Sequence, residues 1–231
     1  MKPEKHYYEG RNAGLQYYEI PNDRKPLVLL HAQGVDSGSF FGVMPELARH
    51  FHVYAVDCYG HGGSLHDPAR YNVADIGNAV MDFLQHVVRE PVCLLGHSSG
   101  GLIAAYVASS GSFRGSLVLE DPPFFSCQGE ARKRTFNYAD LSTVCHAFLS
   151  QEEERDFVLY YFTHQRLWDF FPEKAREKVR PRLIASADSY RRKHPERDLW
   201  VPFWPKAGLA AYQGMDRYDP RFGEAFYEDS F

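Results

Sequence analysis

The feature that most constrains this chain is the segment Leu94–Gly101, which reads LLGHSSGG and contains the pattern G-x-S-x-G. The apolar run 91–95 leads into the pattern, and a run of small, helix-compatible residues follows at 101–108. This order predicts a strand, a sharp turn and a helix, which is the context that a nucleophile elbow requires. Glycines permit a backbone too tight for side chains, so Ser98 would stand clear at the turn. We interpret Ser98 as a candidate nucleophile, and the alternative is a small-residue turn without a chemical role.

Apolar and helix-like segments alternate through the first half of the chain. An opening hairpin is followed by four predicted buried strands, at 27–31, 52–57, 92–96 and 116–120. Residues 37–50 and 72–88 carry apolar positions near helical spacing, and Asn72 or Asp75 could cap the second helix. Strands that alternate with helices indicate an α/β fold with a doubly wound, mostly parallel sheet. Function is then expected at the carboxyl ends of the strands, where the sequence has His31, Asp57, Ser98 and Asp121.

The sequence changes character at Asp121–Pro123. No buried-strand pattern follows, and 12 of the 17 phenylalanines and all 3 tryptophans lie after residue 122. We interpret residues 1–122 as the core and residues 123–231 as a helical cap that ends near its return to the core. The segment Ser150–Glu153 matches a capping box and predicts a helix through about Thr163, and Pro172 would open another. Most of these aromatic residues should form the core of the cap, and a few should line an apolar pocket over Ser98.

Composition excludes several classes of function. The 231 residues carry a net charge of −4, without the basic excess that nucleic acid or an anionic membrane would select. No apolar run approaches the roughly 18 residues of a membrane span, and the polar N-terminus lacks the centre of a signal peptide. The 4 cysteines show no C-x-x-C spacing, which favours reduced thiols. We expect a cytoplasmic protein that acts on a small molecule and needs no metal or cofactor.

A serine nucleophile makes further demands on the chain. Its hydroxyl needs a base to take the proton and an acid to orient that base. It also needs N–H donors where negative charge develops on the substrate oxygen. We expect the backbone N–H of Ser99 to be one donor and that of Gln33, in the loop after the 27–31 strand, to be the second.

Three motifs in this order resemble the α/β-hydrolase superfamily. The segment His31–Gly34 resembles that family's His-Gly-x-Gly oxyanion loop, with alanine second, and Asp57–Ser64 resembles its Asp-x-x-Gly-His-Gly-x-Ser loop. The third motif is the elbow, where serine argues against the aspartate-dependent dehalogenase and epoxide hydrolase branches. The resemblance is to cap-bearing, esterase-like members. It implies a serine hydrolase for a small carboxylic ester or lactone, with His31, Asp57 and His61 as structural braces.

The resemblance also implies residues that this sequence does not supply in the usual place. It implies eight strands, with the catalytic acid and histidine after the cap, whereas about six strands are recognisable and no Gly-His pair follows Gly101. Asp121 is a candidate acid, with a turn cap as the alternative. Three interpretations stay open: a truncated or split hydrolase with reduced or no activity, a non-catalytic binding protein, or an enzyme with an unusual base such as His164. If the sheet ends at 116–120, that edge is uncovered, and we expect self-association through it.

Overall fold

The computed structural model describes residues 2–11, 13–124, 129–135, 138, 142–155, 157–164, 172–174, 177 and 217–226. Within these residues the strands are β1 (Glu4–Glu9), β2 (Gly14–Ile20), β3 (Pro26–Leu30), β4 (His52–Val56), β5 (Val92–His97) and β6 (Gly115–Glu120). They form one sheet in the order β1-β2-β4-β3-β5-β6. The pairs β1–β2 and β2–β4 are antiparallel, and β4, β3, β5 and β6 run parallel. The predicted doubly wound, mostly parallel sheet is therefore confirmed.

The helices of the described residues are α1 (Met44–Leu47), α2 (Val73–Phe83), α3 (Ser99–Ser109), α4 (Thr143–Leu149), α5 (Phe157–His164) and α6 (Pro220–Ala225). Asn72 caps α2, because its side chain accepts a 2.8 Å hydrogen bond from the Asp75 N–H. The last turn of that helix continues as a π-helical segment, Leu84–Val88, which ends at Arg89 with φ 62°. No described helix has the length and apolar character needed to cross a membrane.

Two helical expectations differ from the structure. The segment 37–50 is not one helix: a 3-10 turn at Ser37–Phe40 precedes the short α1, which has proline at its start. The helix predicted from Ser150 through about Thr163 exists as α5, which ends at His164 but begins only at Phe157, so Ser150 does not open it. Ser150 ends α4, where its hydroxyl donates to the His146 carbonyl at 2.8 Å. The capping-box pattern is local and does not reveal that the residues before it are already helical. The helix predicted from Pro172 lies almost entirely outside the described residues.

The sheet has a hydrophobic core on each face. Along β3, Val28 and Leu30 pack into the larger cluster with α2 and α3, while Leu27 and Leu29 pack into the smaller cluster with α1. This alternation of faces explains why β3 is a continuous apolar run. Aromatic residues from the second half of the chain join the larger cluster, namely Phe157, Tyr160, Tyr161, Tyr218, Phe222 and Phe226. The three tryptophans lie outside the described residues.

Candidate active site

The segment at Ser98 has the backbone of a strained elbow. β5 ends at His97, α3 begins at Ser99, and Ser98 between them has φ 53° and ψ −118°. Residues other than glycine seldom adopt a positive φ, and such strain is held in place by surrounding structure. Here the Ser98 N–H donates to the Glu120 carbonyl at 2.8 Å, and the Ser98 carbonyl accepts from the Gly101 N–H at 2.9 Å. The predicted strand, turn and helix are therefore present.

Backbone crowding explains both glycines of the G-x-S-x-G pattern. A Cβ atom on Gly96 would lie 2.2 Å from the Gly100 carbonyl oxygen. A Cβ on Gly100 would lie 2.5 Å from the Leu30 oxygen and 2.6 Å from the His31 oxygen. Gly100 thus packs directly against the end of β3, and Gly96 packs against the first turn of α3. A side chain at either glycine would force these backbone segments apart.

The two predicted oxyanion donors lie at the same edge of the sheet as Ser98. Leu30 at the end of β3 is opposite Gly96 on β5, so the loop that carries Gln33 is adjacent to the elbow. Gln33 and Ser99 are both buried. Within the part of the chain that the structure describes, neither backbone N–H donates a hydrogen bond. The N–H groups of Gln33 and Ser99 therefore remain candidate oxyanion donors.

The Asp57 side chain connects three segments of the chain at the edge of the sheet where Ser98 lies. Its fully buried carboxylate accepts 3 hydrogen bonds, from Gln16 Nε2 at 2.6 Å, the Ser37 N–H at 2.9 Å and the Gly63 N–H at 3.1 Å. The donors belong to β2, to the turn after the oxyanion loop and to the loop after β4. Because several donors hold the carboxylate in place, Asp57 acts here as a brace between segments.

Two buried histidines join the loop after β3, which carries Gln33, to the loop after β4. His31 Nε2 accepts from the Cys58 N–H at 2.9 Å, and His61 Nε2 accepts from the Gly34 N–H at 3.2 Å. The Nδ1 atoms face backbone carbonyls, that of Ala32 for His31 and that of Tyr59 for His61. Each ring is therefore a neutral tautomer with both nitrogens occupied. Burial lowers the pKa of both histidines. Because both ring nitrogens of each histidine already face backbone groups, neither histidine is arranged to take a proton from Ser98.

This arrangement predicts that the protein loses stability in mild acid. In the unfolded chain each histidine takes a proton below about pH 6.5, whereas in the fold its lowered pKa prevents this. The free energy of unfolding should therefore fall as the pH drops below about 6.5, by up to about 1.4 kcal/mol per pH unit for each histidine. Urea unfolding between pH 8 and pH 5 measures this. His61→Gln should weaken the dependence of the unfolding free energy on pH, whereas the control His50→Gln, at an exposed histidine, should retain it. Equal pH slopes in the two variants would contradict the role given to the buried histidines.

The remaining candidates for the catalytic acid and base make no described hydrogen bond with Ser98. Asp121 follows β6, is exposed, has φ 49°, and makes no side-chain hydrogen bond in the described residues. His146 pairs with Glu224 at 2.8 Å on the surface. His164 contacts the Tyr160 carbonyl at 3.0 Å. Among the described residues no histidine is hydrogen-bonded to Ser98, and His194 lies outside them. The same residues contain no group of three or more His, Cys, Asp or Glu that could hold a metal.

The structure adds contacts that sequence reasoning missed. Gln33 Nε2 donates to the Tyr218 hydroxyl at 2.7 Å, and the neighbouring Arg217 forms an ion pair with Asp36. These partners are separated by 185 and 181 residues along the chain. Nothing in the local sequence around Tyr218 signals such a contact, because the pairing depends on how the end of the chain returns to the core.

Comparison with known proteins decides the family. The model of the “Alpha/beta hydrolase family” matches residues 27–228. The chain belongs to the alpha/beta hydrolase family. A hydrolase from Pseudomonas aeruginosa has a similar solved structure, with TM-score 0.60 and 21% identity, over 98% of this chain and 73% of that one. This alpha/beta hydrolase therefore has the expected fold.

Two curated relatives match parts of this alpha/beta hydrolase. An uncharacterized protein of Mycobacterium tuberculosis is 36% identical over 91 residues, which is 39% of this chain and 27% of the relative. The pimeloyl-[acyl-carrier protein] methyl ester esterase of Yersinia pseudotuberculosis is 32% identical over 118 residues, covering 50% of this chain and 44% of the esterase. The matches thus span less than half the length of each of these relatives.

Proposed function

We propose that this alpha/beta hydrolase is a serine hydrolase of small ester-like substrates, either carboxylic esters or lactones, with Ser98 as the nucleophile. The observation that carries the proposal is the strained φ of 53° at Ser98 between β5 and α3. Such strain marks a position that the surrounding structure has been built to hold. The resemblance of the three sequence motifs to esterase-like members supports the same chemistry.

In the proposed reaction the Ser98 hydroxyl oxygen attacks the substrate carbonyl carbon and gives its proton to a base. The N–H groups of Gln33 and Ser99 hydrogen-bond the carbonyl oxygen as it becomes negative. The carbon–oxygen bond to the leaving group then breaks, and that oxygen takes up a proton. Water cleaves the resulting ester of Ser98 by the same steps, which returns the serine. Asp121 remains our candidate acid, and we propose reduced or no activity for these 231 residues, since no base is assigned.

The second candidate function is a non-catalytic binding protein with the same fold. The observation that favours it is that no histidine in the described ranges is hydrogen-bonded to Ser98. A serine hydroxyl without a base is a poor nucleophile at neutral pH. In this case the edge beside Gln33 and Ser98 would hold a small molecule without converting it.

Two reagents separate these candidates. A fluorophosphonate probe reacts with an activated serine, and p-nitrophenyl acetate reports turnover. An enzyme should show labelling and turnover, both lost in Ser98→Ala. A binding protein should bind ligands and show neither reaction. Residual turnover well below that of family members with a complete triad would fit a site that keeps its oxyanion donors but lacks a histidine.

The remaining assignments are proposals of the same kind. We propose that residues 1–122 form the core and 123–231 the cap, that the protein is cytoplasmic, and that its partner is a small molecule. Neither nucleic acid nor a membrane is proposed as a partner, in keeping with the net charge of −4.

We also propose that two copies associate through β6. All 6 of its residues are exposed, and Leu117, Val118 and Leu119 are 36%, 43% and 36% accessible. An apolar edge strand offers unpaired backbone groups to an identical strand. Sedimentation at increasing concentration should show a species larger than the monomer. Val118→Lys should shift the protein toward monomer. Val43→Lys, at a valine that is 51% exposed and lies outside any strand, should not. A wild-type monomer at high concentration contradicts the proposal.

A further inference from the structure

The three residues before α6, at positions 217–219, form hydrogen bonds or an ion pair with the loops after β3 and β4. Arg217 forms an ion pair with the buried carboxylate of Asp36, just after the oxyanion loop. The Tyr218 hydroxyl accepts from Gln33 Nε2 within that loop, and the Asp219 N–H donates to the Gly60 carbonyl at 2.7 Å. The segment 217–219 therefore contacts both the loop that carries Gln33 and the loop after β4.

The Gln33 side chain depends on this segment. Its amide is buried, and Tyr218 is its one hydrogen-bond partner among the described residues, since Oε1 has no partner there. Loss of that bond would leave the Gln33 amide without a hydrogen-bond partner among the described residues. The Tyr218 ring also packs against His61 with 4.9 Å between ring centroids, and His61 accepts from the N–H of Gly34, the next residue after Gln33. Tyr218 thus restrains the Gln33 side chain directly and the Gln33–Gly34 peptide through His61, so two of the groups attached to the Gln33 Cα depend on it.

We propose that Tyr218 is a positioning residue that holds the Gln33 backbone N–H in the orientation needed to stabilise the substrate oxyanion. The inference rests on the proposed function, because it assumes that Gln33 is an oxyanion donor. A misplaced donor lowers the rate of attack by Ser98, because an N–H group stabilises the oxyanion best when it is already oriented before the reaction begins. In this proposal a residue from the second half of the chain, Tyr218, positions an oxyanion donor from the first half, Gln33.

The test compares two conservative variants of buried tyrosines. Tyr218→Phe removes the bond to Gln33. Tyr71→Phe is the matched control: it removes a buried 2.6 Å bond from a tyrosine hydroxyl to the next residue of the same segment, Asp219, without contacting Gln33. Two quantities are measured in the 231-residue chain. One is the hydrogen-exchange rate of the Gly34 backbone amide and the Gln33 side-chain amide by NMR; the other is the second-order rate of fluorophosphonate labelling.

We expect Tyr218→Phe to speed exchange at Gly34 and Gln33 by about five- to tenfold relative to Tyr71→Phe, as for the loss of one hydrogen bond. Labelling should slow by about tenfold in Tyr218→Phe only. Equal changes in the two variants would overturn the inference and leave Tyr218 as a packing residue. If the wild type is not labelled, while exchange is faster only in Tyr218→Phe, the proposed function is rejected together with the inference built on it. Labelling with unchanged exchange would reject the inference alone.

Discussion

Replacing Gly100 by alanine is expected to destabilise the fold by about 3 kcal/mol or more. The new Cβ would lie 2.5 Å and 2.6 Å from two backbone oxygens at the end of β3, those of Leu30 and His31. Backbone oxygens in a sheet cannot rotate away as a side chain can, so the elbow and β3 would have to separate. Urea unfolding followed by circular dichroism measures the loss.

The matched control is Gly42→Ala. Gly42 is exposed, and a Cβ there meets no atom within 4 Å. Its φ is also outside the positive range that alanine avoids. This substitution should be neutral or stabilise the protein by about 0.4–1 kcal/mol, because alanine restricts the unfolded chain. Equal effects of the two substitutions would show that the close contact at Gly100 is not what holds the elbow.

The largest effect on activity is expected from Ser98→Ala. If Ser98 is an activated nucleophile, its removal abolishes the covalent route, and the kcat/KM for p-nitrophenyl acetate should fall by up to about a thousandfold. If the chain has no base, the starting rate is already low and the fall is correspondingly smaller, because the residues of a triad act as a unit. The hydroxyl makes no hydrogen bond that caps α3, so the fold should lose little with it. The loss in rate would then report chemistry and not unfolding.

Ser109→Ala is the control for that substitution. Ser109 lies on the same helix, is exposed, and donates a 2.8 Å hydrogen bond to the Tyr106 carbonyl. Its replacement should leave the turnover of p-nitrophenyl acetate within about twofold, as for most surface changes. Turnover that persists in Ser98→Ala at the level of the control would place the reaction elsewhere and contradict the proposed function.

The parts of the structure that depend on neighbouring residues could be predicted from the sequence. The elbow follows from Gly96, Ser98 and Gly100 between an apolar run and a helix-forming run, because the steric demand is local. The mostly parallel sheet follows from strands that alternate with helices along the sequence, and the continuous apolar run of β3 indicates burial on both faces. Asn72 as a helix cap is likewise a local preference.

Other features could not be predicted, because they depend on distant or competing contacts. The bond between Gln33 and Tyr218 joins residues 185 positions apart, and a short polar loop gives no sign of its partner. Ser150 fits both the start and the end of a helix, and α4 before it decides the outcome. The predicted helix over 37–50 is broken by glycines and by Pro45 near the start of α1, and glycine and proline weaken helical spacing as a signal.

The central claim, that Ser98 is a nucleophile held at a strained elbow, is tested most directly by locating a covalent adduct. The 231-residue chain is treated with a fluorophosphonate, digested, and its peptides are sequenced by mass spectrometry. We predict one adduct, on the peptide that contains Ser98, and none after prior unfolding in urea. An adduct on a different residue, or no adduct on protein whose circular dichroism shows it to be folded, would contradict the central claim.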